Sequence, residues 1–144
     1  MTFLEENRHL LEEKRDTLKE WFTRKRAEVP IPIYGSVDIR DSGWKVCVVD
    51  ANHFPAGFNN VSADEEPRLS QLLKEHIIRR HENCEWVHLY PESHTRNQAY
   101  VENVKVITRL IELAGFRVTV GSPELAGHGS LDGITGPLKL VNVV

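Results

Sequence analysis

Cysteine is scarce here: Cys47 and Cys84 are the only two in 144 residues. Two thiols do not make a disulfide framework, so a reducing, cytoplasmic setting is the simpler reading. No apolar run reaches transmembrane length, and the first residues are acidic and amphipathic, unlike a signal peptide. Positive charge is not in excess either. A formal net charge of -3 leaves no broad basic footprint, which removes the electrostatic reason to expect nucleic acid or an anionic membrane as partner. Gly127, Gly129, Gly133 and Gly136 belong to no phosphate-loop motif ending in Lys-Ser or Lys-Thr. His76, His81, His88 and His94 fit no compact His/Cys ligand spacing, so no metal site is expected. Internal repeats and low-complexity segments are absent. What remains is a chain of ordinary globular composition, long enough for one domain with a sizeable core.

The most informative stretch runs from Val46 to Asn60, Val-Cys-Val-Val-Asp-Ala-Asn-His-Phe-Pro-Ala-Gly-Phe-Asn-Asn. Its first four residues predict a buried strand that stops at Asp50. In an open α/β sheet the segment beyond a strand's carboxyl end lies in the ligand crevice, which makes Asp50, Asn52, His53, Asn59 and Asn60 candidate site residues. Phe54 and Phe58 are the expected anchors, with Pro55 fixing the backbone and Gly57 relaxing it. The alternative is a tight surface turn whose Asn residues take left-handed conformations.

Before this stretch, Leu4, Leu11, Leu18 and Phe22 among dense Glu, Lys and Arg predict a helix from Thr2 to about Arg26, with Thr2 and Glu5 forming a capping box. Residues 1–28 are thus a helical segment, and the alternating prolines of Val29 to Ile33 end it in a linker. Ser36 to Arg40 and Trp44 to Val49 read as a hairpin turned at Asp41-Ser42-Gly43, with Asp38 and Arg40 on one face of its first strand. The plain reading of that pair is a structural ion pair or solvent exposure.

Glu65 to Glu82 predicts a second helix with Leu69, Leu72, Leu73, His76 and Ile77 on one face, His76 at the core edge. Trp86 to Tyr90 follows as a strand. Pro91-Glu-Ser-His-Thr-Arg-Asn97 is then a second polar loop between a strand end and a helix start. Thr95 with Gln98 reads as the cap of a helix buried along Tyr100, Val101, Val104, Ile107 and Ile111 and ending at Gly115. Its free amides and Arg96 favour an anion. Phe116 to Val120 completes a β-α-β unit, and Leu138 to Val144 is a further candidate strand. Residues 33–144 therefore read as one three-layer α/β domain, with the strands near Trp44, Trp86 and Phe116 in a single sheet flanked by helices.

Val37-Asp-Ile-Arg40, Val49-Asp-Ala-Asn-His-Phe-Pro-Ala-Gly-Phe-Asn-Asn60 and Pro91-Glu-Ser-His-Thr-Arg-Asn97 resemble the amino-terminal part of the bacterial ATP-grasp-type glutamate-cysteine ligases. The resemblance covers most of Ile33 to Ser122. His53 stands where the family pattern has leucine, and Ser93 where it has asparagine. It implies the fold of the domain preceding the ATP-grasp portion, and it implies ATP and magnesium as cofactors of the complete enzyme, held by a portion absent from this sequence. The implied reaction is phosphorylation of the glutamate γ-carboxylate, then attack by the cysteine amine on the acyl phosphate. Such chemistry needs cations to hold carboxylates and offset phosphoryl charge.

By residue type, Arg40 and Arg96 suit carboxylate or phosphate contact, and Asn52, Asn59, Asn60 and Asn97 suit orientation of polar groups. Asp50, Glu92 and His94 could receive the substrate ammonium or brace the arginines. No catalytic residue is assigned, and this chain alone is expected neither to hydrolyse ATP nor to make γ-glutamylcysteine. The expected partners are glutamate or a similar small carboxylate, and the ATP-grasp portion or a partner chain. The rival reading is a non-catalytic module that binds a small anionic metabolite and regulates a partner protein. A metal-dependent hydrolase is a third, and it would require a bound metal.

Overall fold

The computed structural model describes residues 2–93 and 96–143. The chain is mixed α/β and divides into two compact units, Met1–Phe54 and Pro55–Val144.

In the first unit the expected helix is broken once, into α1 (Phe3–Glu13) and α2 (Arg15–Glu28). Thr2 caps it as expected: its Oγ1 accepts the Glu5 amide at 3.3 Å, and the Glu5 carboxylate accepts the Thr2 amide at 2.7 Å. Lys14 leaves the helical region at φ -94 and ψ 5. Helical hydrogen bonds still run through the break, from Lys14 N to Leu10 O and from Leu18 N to Lys14 O. Val29 turns extended before Pro30, as the residue preceding a proline must. No residue of either helix is buried.

Strands β1 (Ser36–Asp41) and β2 (Val46–Asn52) form the expected antiparallel hairpin. Gly43, at φ 84, takes the left-handed position of the turn, where its amide donates to Asp41 Oδ1 at 2.7 Å. Two details differ from expectation. β2 starts at Val46, not Trp44, and runs past Asp50 to Asn52. It is also exposed along its whole length. A run of β-branched residues reports strand propensity, and a two-stranded ladder has no covering layer to bury it.

The second unit is organised around α4 (Gln98–Leu113), which buries Val101, Asn103, Val104, Val106, Ile107, Leu110 and Ile111. It ends in a Schellman motif: Gly115 at φ 96, its amide on Glu112 O, and the Phe116 amide on Ile111 O. On one side α4 packs with α3 (Glu66–Arg80) and the strands, through Ile77, Ile107, Ile111, Ala114 and Phe116. On another, Val101 and Val104 meet Val120, Leu125, Leu131 and Leu138. β3 (Trp86–Leu89) pairs in parallel with β4 (Arg117–Val120), Trp86 opposite Arg117 and Leu89 opposite Val120. This is the expected β-α-β unit. In α3, Leu72 is exposed while Ile77 is buried and His76 sits part-way, at the core edge.

The expected single sheet is not what forms. The described strands make three separate two-stranded ladders, β1-β2, β3-β4 and β5-β6, so the strand after Trp44 does not join those of Trp86 and Phe116. The hairpins β1-β2 and β5-β6 are each closed by their own turn, and β3-β4 by the α4 crossover, so each pair is satisfied without joining the others. The strand expected over Leu138 to Val144 is displaced: a hairpin of β5 (Ser130–Gly133) and β6 (Gly136–Lys139) forms, so only Leu138 and Lys139 of that stretch are strand, and beyond it the Val141 amide donates to Val120 O at 2.8 Å.

Candidate functional site

The hairpin of the first unit holds three of the candidates, and a bulge decides where they point. Asp38 pairs with Asp50 but Ile39 pairs with Val48, which leaves Val49 as an extra residue in β2. Cross-strand partners share a face, so the bulge puts Ser36, Asp38, Arg40, Cys47, Asp50 and Asn52 on one side. Val37, Ile39, Val46 and Val48 take the other. Strict alternation would have put Val46 and Val48 beside Asp50. Arg40, Asp50 and Asn52 thus do share a face. Asp50 is braced locally, accepting the Ala51 amide at 2.8 Å and the Asn52 side-chain amide at 3.4 Å. Because the hairpin is antiparallel, the crevice argument for parallel sheets does not apply to the end of β2. Phe54, 73% exposed, anchors nothing.

In the second unit the Pro55 to Asn60 loop is fixed to α4 by a residue that sequence reasoning missed. Asn103, buried on α4, accepts the Phe58 amide at 2.8 Å and donates to Pro55 O at 2.9 Å. Phe58 packs against the core cluster of Ile77, Ile107 and Ile111, as an anchor should. Gly57 at φ 80 turns the chain into a 3-10 turn, Phe58–Asn60. Asn59 and Asn60 are left exposed, with Asn59 Nδ2 donating to Asn60 Oδ1 at 3.4 Å.

The same helix begins at the second polar loop. Asn97 is its cap: its Oδ1 accepts the amides of Ala99 at 3.1 Å and Tyr100 at 3.2 Å. That oxygen and those two amides are committed to each other, and Arg96 is exposed in the turn before α4. His94 lies outside the described residues, as does the expected cap Thr95. Glu92 is exposed, and its backbone amide donates to the Tyr100 hydroxyl at 2.7 Å. Burial raises the Tyr100 phenol above its ordinary pKa, with the Glu92 amide opposing. Asn97 and Asn103 are six residues apart, about 9 Å along the axis. α4 therefore carries both polar loops, Asn59-Asn60 by way of Asn103 and Arg96-Asn97 at its tip.

The loop after β4 shares the carboxyl edge of the parallel pair with the loop after β3. There Tyr90 donates to Glu124 Oε2 at 2.7 Å, which holds the Glu124 carboxyl below the ordinary range. The Ser122 hydroxyl, buried and without a hydrogen bond of normal geometry, faces the same carboxylate. Neither Tyr90 nor Glu124 was expected here. The available signal was their position, each just past a strand's end.

Elsewhere the charged groups brace structure. Arg109 holds Glu66 through two hydrogen bonds, one of them 3.0 Å, which lowers the Glu66 carboxyl and ties α4 to α3. Lys105 donates to Glu102 Oε2 at 3.2 Å, to the Thr135 hydroxyl at 2.6 Å and to Gly136 O at 3.1 Å, latching the β5-β6 hairpin to α4. Among the described residues no three His, Cys, Asp or Glu are arranged to hold a metal ion. No helix among them is long and apolar enough to cross a membrane. Cys47 and Cys84 are free thiols.

One parallel and two antiparallel two-stranded ladders together with α-helices define a mixed α/β protein. The profile of the glutamate-cysteine ligase family matches residues 7–133, and the chain belongs to that family. A crystal structure of a Methylobacillus flagellatus protein assigned as a gamma-glutamylcysteine synthetase is similar to it, with a TM-score of 0.83 and 31% identity. That similarity covers 93% of this chain and 32% of the other, so the chain spans about a third of its structural relative's length. No curated protein matches.

Proposed function

We propose that this chain is the substrate-binding, amino-terminal part of an ATP-dependent glutamate-cysteine ligase, and that Pro55–Val144 holds the glutamate. The observation carrying this reading is Asn103, which fastens the Asn59-Asn60 loop to the helix whose first turn follows Arg96. Arg96 is the carboxylate clamp in this scheme, since a guanidinium grips a carboxylate through two parallel hydrogen bonds. The amides of Asn59 and Asn60 orient the bound group. Ionised Glu124, braced by Tyr90, accepts the substrate's ammonium in this scheme. In this reading glutamate and cysteine are joined through a γ-carboxylate activated by ATP as an acyl phosphate, and membership of the glutamate-cysteine ligase family supports it.

Nucleotide and magnesium are assigned to an ATP-grasp portion of the longer protein that the structural relative's length suggests. The residues here bind and orient glutamate, and no phosphoryl-transfer step is derived from them. Two free thiols fit a cytoplasmic setting. The reading as a non-catalytic regulatory module gains nothing from family membership. Titrating glutamate into the labelled chain and following its amide resonances is the test. Saturable shifts confined to Asn59, Asn60, Tyr90, Arg96, Glu124 and the start of α4 are expected; saturable shifts located elsewhere would displace the site.

A further inference from the structure

We propose that α1 and α2 pair antiparallel with the same two helices of a second copy of this chain. Leu4, Leu11 and Leu18 recur every seven residues, and Phe22 and Val29 continue their line. Phe3, Leu10 and Trp21 widen it into a face about a third of the helix circumference. All of these are exposed, Leu4 at 66%, Leu11 at 59% and Phe22 at 49%, and Trp21 and Phe22 stack edge to face with ring centres 5.0 Å apart. A contiguous apolar face of this kind marks an interaction surface.

Charge says what covers it. α1 carries Glu5, Glu6, Glu12 and Glu13 against Arg8, while α2 carries five basic residues against three acidic ones. A parallel pair would set acidic α1 on acidic α1 and basic α2 on basic α2. An antiparallel pair sets each acidic half on a basic half, along a two-fold axis near the break at Lys14. Glu6, Glu13 and Arg24 lie along one margin of the apolar face, so Glu6 of one copy then meets Arg24 of the other. The ion pairs already present along the helices, Glu12 with Arg15, Glu13 with Lys14 at 3.0 Å, Asp16 with Lys19 at 3.9 Å, Lys25 with Glu28 at 2.6 Å and Arg24 with Glu28 at 3.9 Å, are solvent-exposed and hold their side chains weakly.

Sedimentation of the full 144-residue chain tests this, with circular dichroism confirming that every variant keeps its helices. The wild type is expected to be a dimer whose dissociation constant rises about tenfold or more between low and high salt. A variant with Glu6, Glu12 and Glu13 changed to Lys and one with Arg24, Lys25 and Arg26 changed to Glu are each expected to be monomeric, and their mixture to dimerise. Leu11→Asp with Leu18→Asp should also give a monomer. A monomeric wild type, as when another part of a longer chain is the true cover, would overturn the proposal. So would dimers that survive in both charge-swapped variants or in the Leu11→Asp, Leu18→Asp variant.

Discussion

Asn103 and Phe58, forty-five positions apart, are joined by a part-buried hydrogen bond of 2.8 Å from the Phe58 amide to the Asn103 side-chain oxygen. With the return bond to Pro55 O at 2.9 Å, one side chain satisfies both a donor and an acceptor of the same loop. Asn103→Ala leaves both loop groups unpaired and is expected to lower stability by about 2 to 3 kcal/mol. Asn103→Asp keeps the acceptor, loses the donor and buries a charge, so it should be no milder. Denaturant unfolding of both variants checks this, and a loss under about 0.5 kcal/mol would show that the loop is held by something else.

Gly121 stands where the chain leaves β4 toward Ser122. A Cβ there would lie 2.4 Å from Val141 O and 3.1 Å from a Val143 methyl. Both neighbours must move to admit it, so Gly121→Ala is expected to cost about 1 to 3 kcal/mol. A thermal melt that matches the wild type would mean that the segment around Val141 yields freely.

The hairpin latch gives a pH dependence. The Thr135 hydroxyl, more than any other group, holds the Glu102 carboxyl below its ordinary value, with the Thr135 amide and Lys105 adding to it against burial. A depressed carboxyl contributes stability that is complete above its unfolded value and is lost as pH falls through its folded one. Amide protection in β5 and β6, taken relative to the intrinsic exchange rate at each pH, should therefore be full at neutral pH and fall only below the ordinary carboxylate range. Glu102→Gln should abolish that acid response, and an equally steep response in the variant would assign it to another group.

Ser122 is predicted to move in the opposite direction from the other variants. Its buried hydroxyl lacks a hydrogen bond of normal geometry, and removing an unsatisfied polar group recovers its desolvation cost. Ser122→Ala is expected to leave stability unchanged or raise it by up to about 1 kcal/mol. A marked loss would reveal a partner for that oxygen.

Much of the fold was legible because its signals are local. The Thr2 cap, the Asp41-Ser42-Gly43 turn, the stripe along α4 and the stop at Gly115 each depend on residues within a turn or two of one another. The ladders were not legible, because whether the strands after Trp44 and Trp86 join depends on distant packing. The bulge at Val49 was hidden for a related reason: only pairing with β1 reveals the extra residue. Asn103 left a faint sign, a polar residue amid the buried positions of α4, and a run of turn residues at Asp132-Gly133 and Gly136 marked the last hairpin. For the site, the two polar loops were recognisable from composition. That Asn97 caps α4 was not legible, because capping and binding call for the same side chain.

The central claim is that Arg96 grips the glutamate carboxylate, and calorimetric titration of glutamate into the wild type, Arg96→Ala and Arg96→Lys tests it most directly. Arg96 is exposed, so stability should change by less than about 0.5 kcal/mol in either variant. Glutamate affinity should fall by about 1.5 to 3 kcal/mol in Arg96→Ala, with Arg96→Lys recovering only part, because an ammonium cannot reproduce the two parallel bonds. Equal glutamate affinity in all three proteins would contradict the account.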